Sequence, residues 1–193
     1  MKSIYAFEDA DSKNRMLLGG KGAGLSEMTR LKLPVSPGFT ITTEVCNKYY
    51  ENKKRLPKNL MAEVNQNISK VEKKTGKKWN SNTNPLLVSV RSGAAKSMPG
   101  MMDTILNLGL NDQTVIGLTK KTNNPRFAWD SYRRFIQLFG KVVFGVKDTK
   151  FNNVLKAAKK KQGTEDDSEL DVDSLKHIVT KYKKICKNHT KRK

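Results

Sequence analysis

Histidine and cysteine are nearly absent from this sequence, with two of each in 193 residues. Neither histidine has an acid–base partner within sequence reach. His177 stands beside Ile178 on an amphipathic stretch and His189 lies in a basic tail, so neither is assigned to catalysis. Cys46 and Cys186 show no CxxC spacing and no neighbouring histidine cluster, so nothing in the sequence argues for a metal site. Two free thiols in a reducing compartment are the plainer reading, and a disulfide between them is the alternative. No apolar run approaches membrane-spanning length. The N-terminus, Met1 to Phe7, turns acidic at Glu8 and Asp9 without a signal-peptide core. A cytoplasmic location is the expectation.

Acidic residues are also scarce. Eighteen Asp and Glu face 38 Lys and Arg, a formal charge of +20. Such an excess favours phosphate-bearing partners of any kind. Its distribution argues against a dedicated nucleic-acid protein, because lysines such as Lys53, Lys54, Lys73, Lys74, Lys77 and Lys78 are scattered on polar faces. Arginine, the better fork for phosphate and guanine, is scarce. A solvated, lysine-biased surface is the preferred reading. Hydrophobic residues make up 36%, thin but clustered enough for one ordinary domain or one and a half small ones.

The elements follow from periodicity and punctuation. Short strands are predicted at 3–8, 39–42, 86–90 and 105–110. A helix bearing Leu25, Met28 and Leu31 follows the glycine run at 19–24 and is stopped by Pro34 and Pro37. Thr43 caps a helix with Val45, Cys46, Tyr49 and Tyr50, another spans about 58–74, and a short one follows Asn111 and Asp112. Asn124 and Pro125 stand at the cap and first position of the clearest helix, whose apolar series runs from Ala128 to Val146. Two amphipathic helices come next, around Phe151–Ala158 and Leu175–Cys186, joined by a polar, linker-like stretch at 159–168. Few strands among many helices, without regular βαβ alternation, make an α+β pattern. So small a sheet is expected to need strands from elsewhere.

Three segments have the makings of chemistry. Gly19-Gly20-Lys21-Gly22 combines a backbone free to approach an anion, a helix N-terminus and a mobile charge. It is not a Walker A loop, and a glycine turn with an exposed lysine explains it equally well. Arg91 ends the apolar strand Val88-Ser89-Val90 beside a Gly/Ser loop, which suits bidentate phosphate contact, although a surface ion pair is the commoner use. The loop from Ser97 to Thr104 gathers Met98, Met101 and Met102 around Pro99-Gly100. Adaptable methionines suit a nucleotide or a docking domain, with a loop folded over the core as the alternative. On the long helix, Asp130 lies four residues before Arg134. The pattern there reads as a solvated, ion-paired face carrying Arg133 and Arg134.

Together these stretches resemble pyruvate phosphate dikinases: LLGGKGAGLSEM (17–28), LPVSPGFTITTEVCNKYY (33–50), NPLLVSVRSGAAKSMPGMMDTILNLGLND (84–112) and NPRFAWDSYRRFIQLFG (124–140). The phosphoenolpyruvate synthases share the GGKG and SVRS elements, but the SMPGMMDTILNLGLND run favours the dikinases. The resemblance implies an incomplete ATP-grasp-like nucleotide-binding domain, with residues 1–149 as its N-terminal subdomain, 150–187 as a helical extension and 188–193 as a basic tail. It implies Lys21 and Arg91 as polyphosphate-binding groups, Gly100, Met101 and Met102 in a loop closing on the phosphates, and Arg134 at the border of the site.

The family reaction so implied converts ATP, pyruvate and phosphate to AMP, phosphoenolpyruvate and pyrophosphate, with magnesium and a carrier histidine on a swivelling domain. This sequence has no Gly/Thr/Ser-His-Ala motif, and the acidic metal ligands, further Gln and Arg, and pyruvate barrel are absent too. Ala95 and Lys96 also depart from the family loop. Three functions are therefore in play: a dikinase part inactive alone, acting with the missing domains on the same or another chain; a non-catalytic polyphosphate-binding remnant; and, least favoured, a basic nucleic-acid-binding protein.

Overall fold

The computed structural model describes residues 2–93 and 104–190. In chain order the elements are β1 (Ile4–Ala6), α1 (Arg15–Arg30), β2 (Phe39–Ile41), α2 (Thr43–Glu51), α3 (Leu60–Thr75), β3 (Val88–Arg91), β4 (Thr104–Leu108), α4 (Thr114–Thr122), α5 (Pro125–Val142), α6 (Asp148–Gln162) and α7 (Val172–Thr190). Short 3-10 turns lie at Phe7–Asp9 and Asp167–Glu169. Helices dominate and the strands form only two-stranded sheets, β1 with β2 and β3 with β4, consistent with an α+β architecture. Among the described residues, 2–77 with 91–93 make one compact unit, and 78–90 with 104–190 make a second.

In the first unit β1 and β2 run antiparallel, with Ile4 opposite Ile41, Tyr5 opposite Thr40 and Ala6 opposite Phe39. Ile4, Val45 and Leu60 form a small buried core, with Phe39 and Val64 packed against it. The face that α1 buries is Leu18, Gly22, Ala23 and Ser26. This corrects the expected apolar stripe, since Met28 and Leu31 are exposed. The reason is a close approach: a Cβ on Gly22 would lie 2.8 Å from both Cγ2 and Oγ1 of Thr40. Only a residue without a side chain lets α1 come this near β2.

The second unit is a helical cluster. Asn124 caps α5 by accepting a hydrogen bond from the Phe127 amide at 2.9 Å, with Pro125 in the first turn. Ala128, Tyr132 and Ile136 of α5 share one core with Phe151 and Leu155 of α6, and with Leu175, Ile178, Val179 and Tyr182 of α7. α5 stops at Val142, earlier than its apolar series predicts. Gly145 turns the chain at φ 69°, and the Val146 amide folds back to the Gly140 carbonyl at 3.0 Å, burying Val146 outside the helix.

Residues 159–168 are not a loose connection. α6 continues to Gln162, and Gly163 ends it at φ 75°. Arg126 then fixes the next segment, its Nε donating to the Leu170 carbonyl at 3.1 Å and its Nη2 to the Asp167 carbonyl at 2.7 Å. Leu170 is fully buried. α7 runs on to Thr190, inside the stretch read from sequence as a tail.

Candidate functional site

The glycine run is built into a kinked helix. The Asn14 side chain caps the first turn of α1, accepting from the Leu17 amide at 3.1 Å. Gly19 then adopts φ 68°, ψ 165°, a conformation that breaks the helix, and a second helical run begins at Gly20. Such a restart presents first-turn N–H groups and the positive end of a helix dipole. Lys21 stands in this turn, half-buried. The kink is held from outside by Thr43, whose hydroxyl donates to the Met16 carbonyl at 2.6 Å. The glycines divide their duties. Gly19 supplies the positive φ, whereas Gly22 supplies the close approach to Thr40.

Arg91 is the last residue of β3 and is exposed. Two residues on, a Cβ on Gly93 would have the Leu18 carbonyl oxygen as its nearest neighbour, at 4.0 Å. Leu18 immediately precedes the Gly19 kink. Two segments far apart in sequence therefore meet within the first unit: the exit of β3 behind Arg91 and the helix restart carrying Lys21. Gly100, Met101 and Met102 lie outside the described residues.

Arg134 belongs to the second unit, exposed on α5. The expected pair with Asp130 is present, Nε to Oδ2 at 2.8 Å. The expected solvated position of Arg133 is overturned: its side chain is 3% exposed. It donates from Nε to the other Asp130 oxygen, Oδ1, at 2.8 Å and from Nη2 to Asp167 Oδ2 at 3.4 Å. Asp167 in turn takes Lys159 at 3.0 Å. Helix spacing made Asp130 visible as a partner. It gave no sign of Asp167, which the chain brings back from 34 residues away. Asp130 thus holds a buried and an exposed arginine at once.

Around these groups a few ionisations are displaced. A hydrogen bond from Arg30, joined by one from Ser12, holds the Glu27 carboxyl at about 2. Burial, with Asp112 beside it, pushes the Tyr132 hydroxyl well above its usual range, and burial pushes Tyr182 up to about 12. Both cysteines are free thiols. A shallow groove of about 230 Å³ in the first unit, between Phe7, Thr29, Pro37 and the Glu8–Lys74 ion pair, contains none of the predicted site residues. Among the described residues, no three His, Cys, Asp or Glu side chains gather closely enough to hold a metal ion, and no helix is long and apolar enough to cross a membrane.

Residues 15–56 and 52–191 match the family described as pyruvate phosphate dikinase, AMP/ATP-binding domain. The chain is 54% identical over 191 residues to the pyruvate, phosphate dikinase of Entamoeba histolytica, and the match spans 99% of this chain and 22% of that protein. It is 49% identical over 186 residues to the enzyme of Clostridium symbiosum, spanning 96% and 21% of the two. With that of Giardia intestinalis it shares 54% over 172 residues, spanning 89% and 19%. The chain therefore spans about a fifth of the length of these curated relatives. A family match over nearly all of its residues, at such identity, leaves one assignment: the chain belongs to the pyruvate phosphate dikinase AMP/ATP-binding domain family.

Proposed function

We propose that this chain binds the polyphosphate of an adenine nucleotide, as the ATP-binding part of a pyruvate phosphate dikinase of ATP-grasp type. Lys21 and Arg91 are the charged groups proposed for the phosphates, and the family resemblance adds Arg134, Gly100, Met101 and Met102 as further phosphate-binding residues. The observation that carries the reading is the approach of Gly93 to the Leu18 carbonyl. It joins a helix restart suited to an anion with the strand end that carries a guanidinium.

The full reaction takes ATP, pyruvate and phosphate to AMP, phosphoenolpyruvate and pyrophosphate. This chain contributes nucleotide binding to it. The carrier histidine and the pyruvate site come from parts that these 193 residues do not contain, so the chain alone turns nothing over. Magnesium belongs to the family reaction, and its ligands are expected from parts of the enzyme outside this chain.

Titration with ATP or pyrophosphate tests the reading. Lys21→Ala and Arg91→Ala each remove a charge-assisted hydrogen bond, a loss of about 1.5–3 kcal/mol, or roughly ten- to a hundred-fold in affinity. Neutralising Lys191 and Lys193 together has little effect at physiological salt, where exposed charges are screened within about 8 Å. Equal losses in all three variants, fading together as salt rises, would reduce the site to a diffuse basic field.

A further inference from the structure

We infer that Thr43 is a positioning residue for phosphate binding: its hydroxyl takes the place of the Gly20 amide on the Met16 carbonyl and so releases that amide for an anion. The inference rests on the reading of the helix restart beside Lys21 as part of the phosphate site, and adds the device that keeps the restart open. Every residue it uses belongs to the first unit.

In an unbroken helix the Met16 carbonyl would accept from the amide four residues on, that of Gly20. Gly19, at φ 68° and ψ 165°, turns the next peptide out of helical register and carries the Gly20 amide away from that carbonyl. A carbonyl that loses its helical donor needs another. The Thr43 hydroxyl supplies it, donating at 2.6 Å from 27 residues further along the chain. Thr43 is able to do so because it does not cap α2. The cap position expected of it belongs to Thr42, and Thr43 is the first helical residue.

The same stretch of chain holds the other side of the break. Thr40 lies against Gly22, where a Cβ would come within 2.8 Å of its Cγ2 and Oγ1. Gly19 therefore sits between two points fixed to residues 40–43: Met16 before it and Gly22 after it. This bracket grips a carbonyl on one side and a bare Cα on the other, and it consumes no amide. Glycine alone leaves the angle of such a break loose. Donors set in place beforehand lose less freedom when an anion arrives. The Thr43 bond is exposed, so water takes over the Met16 carbonyl when the hydroxyl is removed. Its loss is therefore felt in the angle of the restart more than in the stability of the fold.

Pyrophosphate titration of the full 193-residue chain, with melting temperatures measured alongside, tests this. Thr43→Val keeps the volume and removes the donor. Its affinity is expected to fall roughly three- to ten-fold, the scale of one neutral hydrogen bond, with little change in melting temperature. Thr43→Ser restores the hydroxyl and is expected to bind like the unsubstituted chain. A melting temperature that falls in Thr43→Val while affinity holds marks a merely structural bond and overturns the inference, as does a Thr43→Ser as weak as Thr43→Val. Should Thr43→Val fail to fold, Thr43→Cys replaces it under reducing conditions, since a thiol is a poor donor of serine's shape. Equal affinities of Thr43→Cys and Thr43→Ser would then overturn the inference. Undiminished binding in Thr43→Val with Lys21→Ala impaired overturns this inference alone. Undiminished binding in both, or no pyrophosphate binding by the unsubstituted chain, overturns the nucleotide reading with it.

Discussion

The hydroxyl of Tyr182 donates to the main-chain carbonyl of Phe151 at 3.1 Å, and the two rings meet edge-on with centroids 4.8 Å apart. Both residues are fully buried. One contact between α6 and α7 thus uses the ring for packing and the hydroxyl for a polar bond that water cannot replace. Edge-on aromatic pairs add to the burial of their area.

Tyr182→Phe keeps the ring and removes the bond. The Phe151 carbonyl stands inside α6, where helical geometry offers it a second partner, so the loss falls at the low end for a buried hydrogen bond, about 1 kcal/mol. In a chain of this size that is a fall of about 2–4 °C in melting temperature. An unchanged melting point would show the hydroxyl contributes nothing.

Alkaline pH reaches the same group. Burial raises the Tyr182 hydroxyl from about 10 to about 12, so the folded state holds its proton more tightly than the unfolded chain. The stability this represents is complete below pH 10 and disappears as pH climbs from 10 to 12. Tyr132 is shifted in the same direction, by burial and by Asp112. Urea midpoints at pH 9, 10.5 and 11.5 are expected to fall less steeply in Tyr182→Phe than in the unsubstituted protein. Parallel slopes would exclude Tyr182 from the alkaline transition.

Two helical glycines differ in what surrounds them. A Cβ on Gly140 would meet Phe151 Cζ at 2.7 Å and Cys186 Sγ at 2.8 Å, both side-chain atoms. One on Gly117 would meet the Asn82 carbonyl carbon and oxygen at 2.6 and 2.8 Å and the Thr83 amide nitrogen at 2.9 Å. Side chains can shift, and alanine brings a helix-propensity gain of up to about 1 kcal/mol. Gly140→Ala is therefore expected to cost about 1–2 kcal/mol, within the usual range for overpacking. Gly117→Ala, pressing on main chain, is expected to cost more. Equal denaturation midpoints for the two variants would contradict this ordering.

Local signals carried well from sequence to structure, and distant ones did not. The Asn124 cap and Pro125 announced α5, because capping involves only neighbours in sequence. The end of the same helix was not legible. Val143 and Val146 continue the apolar spacing, yet the chain leaves the helix at Val142 and returns Val146 to the core through a glycine turn. Arg133 misled for a related reason. Beside Asp130 and Arg134 it has the look of a charged surface, and the second of the two carboxylates that compensate its burial, Asp167, arrives through tertiary folding. For the candidate site, spacing alone left Lys21 balanced between phosphate contact and an ordinary surface role, and leaned toward a surface ion pair for Arg91. Motif resemblance singled them out, and the meeting of Gly93 with Leu18 is a long-range contact that periodicity does not encode.

The grip of Arg126 on the carbonyls of Asp167 and Leu170 bears on how this chain withstands proteases. By composition the stretch from Gln162 to Asp171 is the natural place to nick: polar, charged and without an apolar run. Cleavage, however, requires a segment to be drawn out into an extended strand within the protease cleft. Here that means pulling two main-chain carbonyls off one guanidinium and lifting Leu170 out of the interior. The segment that composition marks as cuttable is therefore a clasp, and a protease has to open the helical core before it can reach the bond.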